Sequence, residues 1–168
     1  SIDHRLREDS SKEIEWIRKL MKKEKVSFVS RKVIKKISSS NTLSTARKHR
    51  YELLADICKK NKFKYLLTAH HLDDEIETFL MRLIRGSGIK GLSSLKPVSK
   101  YKGGEISIVR PLLKYSKKCL IKYLAKMKQT YIYDKTNQDM KYDRSRIRVI
   151  AENLINEGLD KKRILEVI

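Results

Sequence analysis

The stretch KYLLTAHHLDDEIETFLMRLI, residues 64–84, decides how the rest of the chain is read. Its first six residues, KYLLTA, are a short apolar run bounded by polar residues, the pattern of a buried parallel strand. From Ile76 onward, Ile76, Phe79, Leu80, Leu83 and Ile84 recur at spacings of three and four, which predicts a helix over 72–85. Gly86, Gly88 and Gly91 then break the pattern. A strand running straight into a helix places the polar residues 68–75 at the strand's carboxyl end. Open parallel sheets bind their ligands there.

The same alternation extends toward the amino terminus. Ile14, Ile17, Leu20 and Met21 mark one face of a helix over 10–24, and VSFVS (26–30) is a strand candidate. Leu43, Ala46, Leu53, Leu54, Ile57 and Cys58 define a second amphipathic helix to about Lys60, with Ser, Thr and Asn before it as caps. Strand and helix alternating in this way indicate an α/β layer structure with a parallel sheet. Further on, Pro97 and Gly103-Gly104 sit in a linker or hairpin, 105–113 forms a strand, 117–128 a helix and TYIYD (130–134) a short extended piece. A basic helix carrying Ile147, Ile150, Leu154 and Ile155 follows, and a short helix closes the chain. A boundary is expected near residue 104, giving an α/β part over 1–104 and a basic, mostly helical part over 105–168.

With 168 residues, the chain is long enough to bury a core of its own. Its formal net charge is +20, and residues 86–148 hold 16 Lys/Arg against 4 Asp/Glu. Such an excess favours a polyanionic partner, since each neutralised phosphate releases counterions; a compositional bias of the source competes with that reading. No stretch has the apolar length of a membrane span, and the opening SIDHRLRED lacks the apolar core of a signal peptide. Cys58 and Cys119 are too few and too far apart for a disulfide framework, so reduced thiols in a cytoplasmic protein are expected. Residue 1 is Ser, and a further segment is expected to precede it.

The densest chemistry is His70-His71-Leu72-Asp73-Asp74. Asp73 and Asp74 fall in the first turn of the predicted helix, where the dipole stabilises negative charge; that alone explains one acid better than two. Adjacent histidines on extended backbone point to opposite sides, and no HExxH spacing is present, so a metal centre is the weaker reading. The carboxylates could instead hold Mg²⁺ with nucleotide phosphates, or bind a substrate ammonium. Asp3, beside His4, offers another acid where a strand ends. Arg47 and Arg50 share a helix face, which is either a solvated basic face or a pair of guanidiniums aimed at phosphate or a reacting carbonyl. Arg144, Arg146 and Arg148 open the basic helix, as surface charge or as an RNA contact.

Taken together, DHRLR (3–7), ARKHRY (46–51), TAHHLDDEIET (68–78), RLIRGSGIKGL (82–92), RPLL (110–113), DKTN (134–137) and RSRIR (144–148) resemble the tRNA(Ile)-lysidine synthase family. The motifs run in the family's order through nearly the whole chain. The resemblance implies a partial Rossmann-like, adenine nucleotide alpha hydrolase-like parallel sheet with flanking helices, of the PP-loop ATPase class, followed by a small basic helical part. It also implies an ATP-dependent ligase, with Mg²⁺, that adenylates the wobble cytidine of an AUA-decoding tRNA(Ile) with a CAU anticodon. The ε-amine of L-lysine then displaces AMP. On matching positions it implies catalytic roles for Asp73, Asp74, Arg47 and Arg50, substrate binding by Asp3, His70 and His71, and tRNA contacts by Arg85, Arg110, Arg144, Arg146 and Arg148.

This sequence departs from the family at Glu75, where Gln is usual, at Ser44, where an acid often stands, and at Ser145, where Asn is usual. It also contains no Ser-Gly-Gly-x-Asp-Ser phosphate loop, so the 168 residues alone are expected to be inactive. A non-catalytic tRNA-binding remnant is the alternative. A PP-loop thiolase with redox chemistry would call for clustered cysteines, and Cys58 and Cys119 are not clustered.

Overall fold

Apolar residues at helical spacing become helices in a computed structural model of the chain, which describes residues 1–3, 10–33, 42–92, 95–133 and 143–167. Contacts divide it into two compact units. One comprises residues 1–66 and 100–107, the other residues 67–99 and 108–168. Residue 104 therefore lies inside a segment of the first unit.

In the first unit, β1 (Ile2–Asp3) pairs in parallel with β2 (Arg31–Lys32), Ile2 opposite Arg31 and Asp3 opposite Lys32. The strand expected at VSFVS is displaced: residues 26–30 form no regular structure, and pairing with β1 begins at Arg31. Backbone partners, not the local apolar run, choose the strand. Helices α1 (Ser10–Lys23) and α2 (Thr42–Lys60) both pack on β1. The α1 stripe of Ile14, Ile17, Leu20 and Met21 is only half-buried. α2 buries Ala46, Tyr51, Ala55 and Cys58, and Ala55 and Cys58 form a cluster with Ile106, Leu66 and Tyr101.

The remaining strands, β3 (Tyr65–Leu67), β4 (Val98–Lys100) and β5 (Ser107–Val109), form a sheet in the order β3-β5-β4. Ser107 N–H donates to Lys64 O, and Thr68 N–H to Val109 O, so the bonds advance the same way along both strands and β3 runs parallel to β5. Tyr101 N–H to Ile106 O and Arg110 N–H to Pro97 O advance in opposite senses, which makes β4 and β5 an antiparallel hairpin. Its turn carries Lys102 and Gly103 at φ 46° and 70°, the left-handed conformation that mirror-image hairpin turns require. Contrary to the sequence expectation, β3 is not a buried strand. Tyr65 and Leu67 are each 65% exposed, because β3 has a single neighbour among the described strands and only the Leu66 side is covered.

In the second unit, α3 (Leu72–Ile84) is the hub. Leu72, Ile76 and Leu80 make its buried stripe, packed against Ile147 and Ala151 of α6 (Asp143–Asn156) and Ile164 of α7 (Lys161–Val167). Leu83 and Ile84, expected on that stripe, are exposed. A short α4 (Ile89–Leu92) follows across Gly91, whose carbonyl accepts from Arg82. The predicted helix at 117–128 appears as α5 (Lys117–Lys126), while residues 130–133 have no regular structure.

Candidate functional site

Leaving β3, the chain reaches His71 in extended conformation at the N-cap of α3, and Asp73, Asp74 and Glu75 fill the helix's first turn. Asp74 Oδ2 accepts the His71 N–H at 3.0 Å, half of a capping box, which satisfies a backbone donor the helix cannot. Thr78 Oγ1 donates to the Asp74 carbonyl, and Thr68 Oγ1 lies 2.9 Å from His70 Nδ1. These local bonds set the two carboxylates side by side at the amino end of α3.

Cations from the helices packed on α3 then meet them. Arg144 spans Asp74 Oδ1 (2.6 Å) and Glu77 Oε2 (2.5 Å), and Arg148 Nε donates to Glu77 Oε1 at 2.6 Å. Lys161 Nζ donates to Asp73 Oδ1 at 2.6 Å, and Lys117 N–H to Asp73 Oδ2 at 2.6 Å. The last bond also caps α5, whose own N-cap Ser116 accepts from Cys119 N–H. Glu77 is only 3% exposed. A carboxylate so deprived of water needs partners to replace its hydration, and two guanidiniums supply them.

Between these groups lies a cleft of about 130 Å³, walled by His71, Asp73, Glu77, Lys117, Arg148 and Lys161, with Ile76 and Ala151 among its apolar lining. His71 Nδ1 is buried without a hydrogen-bond partner, 3.6 Å from an oxygen of each aspartate. Burial alone would push the Asp73 carboxyl up; the Lys117 N–H, the Lys161 ammonium and His71 outweigh it and hold the group below the ordinary range. Glu75 goes the other way: burial raises it, and the Leu95 N–H, Arg110 and Arg82 offset only part of the rise. The cleft is therefore small and lined by acids and bases in balance; Asp73 in its wall holds an ammonium, and the space is too small for a whole nucleotide.

The other expected residues are placed as follows. Asp3 is buried in β1, and Arg47 and Arg50 lie over the Tyr51 ring at 5.3 and 5.9 Å; all three belong to the first unit. Arg110 is buried in the second unit, donating to Lys96 O and Ser99 Oγ. Arg85 and Arg146 are exposed, each close to Asp143. Arg144 and Arg148, expected at a tRNA surface, direct these donors to acids of α3. The DKTN motif and most of DHRLR lie outside the described residues. Sequence reading missed Glu77, Lys117 and Lys161. Only Glu77 carried a signal: it shares a helix face with Asp73 and Asp74 at four- and three-residue spacing, beside the apolar stripe.

Cys58 is buried and Cys119 exposed, and no group of three His, Cys, Asp or Glu among the described residues is arranged to hold a metal. No helix among them is long and apolar enough to cross a membrane.

Comparison with known proteins extends the picture. The chain is 41% identical over 166 residues to tRNA(Ile)-lysidine synthase of Wolbachia pipientis wMel, covering 98% of this chain and 38% of that protein. It is 40% identical over 174 residues to the synthase of Rickettsia bellii, covering 99% and 40%, and 34% identical over 155 residues to that of Orientia tsutsugamushi. It thus spans about two fifths of the length of the first two. Among solved structures, the U34-tRNA thiolase NcsA from Methanococcus maripaludis superposes with a TM-score of 0.76 over 99% of this chain and 61% of the other, at 18% identity, a likeness of fold. The model of the PP-loop domain matches residues 1–155, and on that match the chain belongs to the PP-loop domain family.

Proposed function

We propose that this chain is the catalytic part of a tRNA(Ile)-lysidine synthase, working in the cytoplasm on tRNA(Ile) with a CAU anticodon, L-lysine and ATP. The observation that carries the reading is Asp73 holding a primary ammonium, Lys161 Nζ at 2.6 Å, in the wall of a small cleft of paired charges at the strand-to-helix turn. The ε-ammonium of free lysine is the same chemical group. Relatives that align with 98% of the chain and bear the synthase name support the substrate assignment.

In this reading ATP adenylates the wobble cytidine with release of pyrophosphate, and the lysine ε-amine then displaces AMP. The attacking nitrogen must first lose a proton. Asp73, held below the ordinary carboxylate range, is proposed to bind the ammonium, and His71, whose Nδ1 lies 3.6 Å from an oxygen of each aspartate, or Asp74 to accept the proton. Arg47 and Arg50 are proposed to stabilise charge on the activated cytidine or its phosphates, Asp3 and His70 to line the substrate site, and Arg85, Arg110, Arg144, Arg146 and Arg148 to serve the tRNA side. The basic part over 105–168 is the proposed tRNA-facing portion. Mg²⁺ is proposed to enter with ATP, as the counter-ion of its phosphates.

The 168 residues contain no Ser-Gly-Gly-x-Asp-Ser cradle for pyrophosphate, so alone they are proposed to be inactive. The test supplies the chain with a segment carrying that loop, ATP, labelled lysine and tRNA(Ile) transcript. Lysine in the anticodon, with AMP released in equal amount, is the expected result. Tight tRNA binding without lysine incorporation would instead support a non-catalytic remnant.

A further inference from the structure

Helix α5 presents a surface that the cleft does not use. Its inner side is the half-buried Leu120, Ile121 and Leu124, and none of its residues is fully buried. Outside, Lys118, Lys122 and Lys126 follow one another four residues apart, about 6 Å along the axis from one to the next. Cys119, Tyr123 and Met127 form the adjoining row, with Tyr123 61% and Met127 60% exposed. Tyr115, Tyr131 and Tyr133, which flank α5 in the chain, are exposed too. From Ile106 to Tyr133 the sequence holds seven Lys/Arg and no acid.

The surface begins at the cleft. Lys117 N–H donates to Asp73, and the Tyr115 carbonyl accepts the Leu72 N–H at the start of α3. A lysine row with no carboxylate within reach in sequence, set beside an exposed aromatic face, matches the way proteins hold single-stranded nucleic acid: cations follow the phosphates while rings stack on bases. An interfacial membrane helix would need a broad outward face of Leu, Phe or Trp, and α5 shows only Tyr123 and Met127 there.

We propose that the outer face of α5 binds a single-stranded RNA segment leading to the cleft, with phosphates along Lys118, Lys122 and Lys126 and an unpaired base stacked on Tyr123. This rests on the tRNA reading above and assigns the strand its path. The test measures RNA affinity against salt concentration for the unmodified chain and its variants, using the tRNA(Ile) anticodon stem-loop, oligouridylate and a blunt RNA duplex. Vesicles of phosphatidylglycerol and phosphatidylcholine serve as a second polyanion.

Stem-loop and oligouridylate are expected to bind more tightly than duplex. Replacing Lys118, Lys122 and Lys126 together by Ala lowers the slope of log affinity against log salt by about two, as loss of three single-strand phosphate contacts requires. Tyr123→Ala weakens binding roughly tenfold, while Tyr123→Phe, which keeps the ring, stays within about twofold. Unchanged affinity and slope in both the triple variant and Tyr123→Ala would overturn the proposal. So would a preference for duplex, binding to vesicles but not RNA, or self-association of the chain abolished by the same variants. RNA binding that depends on α5 without lysine incorporation removes the proposed activity and leaves this assignment standing. Normal incorporation with α5 variants that bind as before does the reverse.

Discussion

Two neighbouring carboxyls in the first turn of α3 respond to burial in opposite ways. Asp73 is held below the ordinary range because burial is outweighed by the Lys117 N–H, Lys161 and His71; Glu75 is held above it because burial wins. A lowered pKa contributes stability that is present above the unfolded value and is lost as pH falls through the folded one. A raised pKa makes ionisation a cost, fully present above the folded value and absent below the unfolded one. Asp73→Asn should therefore destabilise the chain at neutral pH, with the deficit closing only in acid. Glu75→Gln should stabilise it at neutral pH, with the gain fading as pH falls from the raised folded value to the ordinary carboxylate value. Thermal melts of both variants against pH check this; parallel curves for the two would contradict it.

At the scale of elements, the helices end in a shared way. After α2, Phe63 N–H donates to Cys58 O and Lys62 N–H to Lys59 O, with Lys62 at φ 57° in the left-handed position that glycine usually takes. Lys25 and Lys128 occupy the same position after α1 and α5. A lysine there favours the dipole but bears the left-handed strain of a Cβ. The α3–α6 contact is held by both apolar packing and charge. Ile76, 1% exposed, is its centre, and Ile76→Ala should cost about 2–5 kcal/mol by denaturant unfolding. Glu77→Ala, which leaves Arg144 and Arg148 partly buried without that acid, should cost about 1–3 kcal/mol, less than a fully buried pair because both guanidiniums are one-third exposed. Losses below 1 kcal/mol in both would mean that α3 and α6 are not packed as described.

The helices were legible because their apolar period is local: the readings at 10–24, 43–60 and 72–85 differ from α1, α2 and α3 by one residue at an end. The short strands were not, since VSFVS looks like a strand by composition while Arg31–Lys32 becomes one by pairing with β1. In the cleft, His71, Asp73 and Asp74 could be picked out because they stand together in sequence. Glu77 could not be separated from a solvated acid until Arg144 and Arg148, 67 and 71 residues away, were seen to close on it.

For the molecule as a whole, the charge of +20 and the family membership point the same way. Lys and Arg are spread evenly over the two halves of the chain, and the second half has the larger net charge because it holds fewer acids, whereas the cleft itself is lined by acids whose charge is met by Arg and Lys of the same unit. On the proposed function, binding of a polyanion and handling of an ammonium are separate tasks on one chain, so that a substitution is expected to remove one while sparing the other. Asp74→Asn is the sharpest case, since Asn keeps an acceptor for the His71 N–H and loses the negative charge. The decisive measurement is lysine transfer to tRNA(Ile) at saturating tRNA, alongside the Kd for that tRNA, in Asp74→Asn and unmodified enzyme supplied with the phosphate loop. Transfer roughly a hundredfold slower with Kd within about twofold is the predicted result. Full-rate transfer at saturation accompanied by weakened tRNA binding would contradict it.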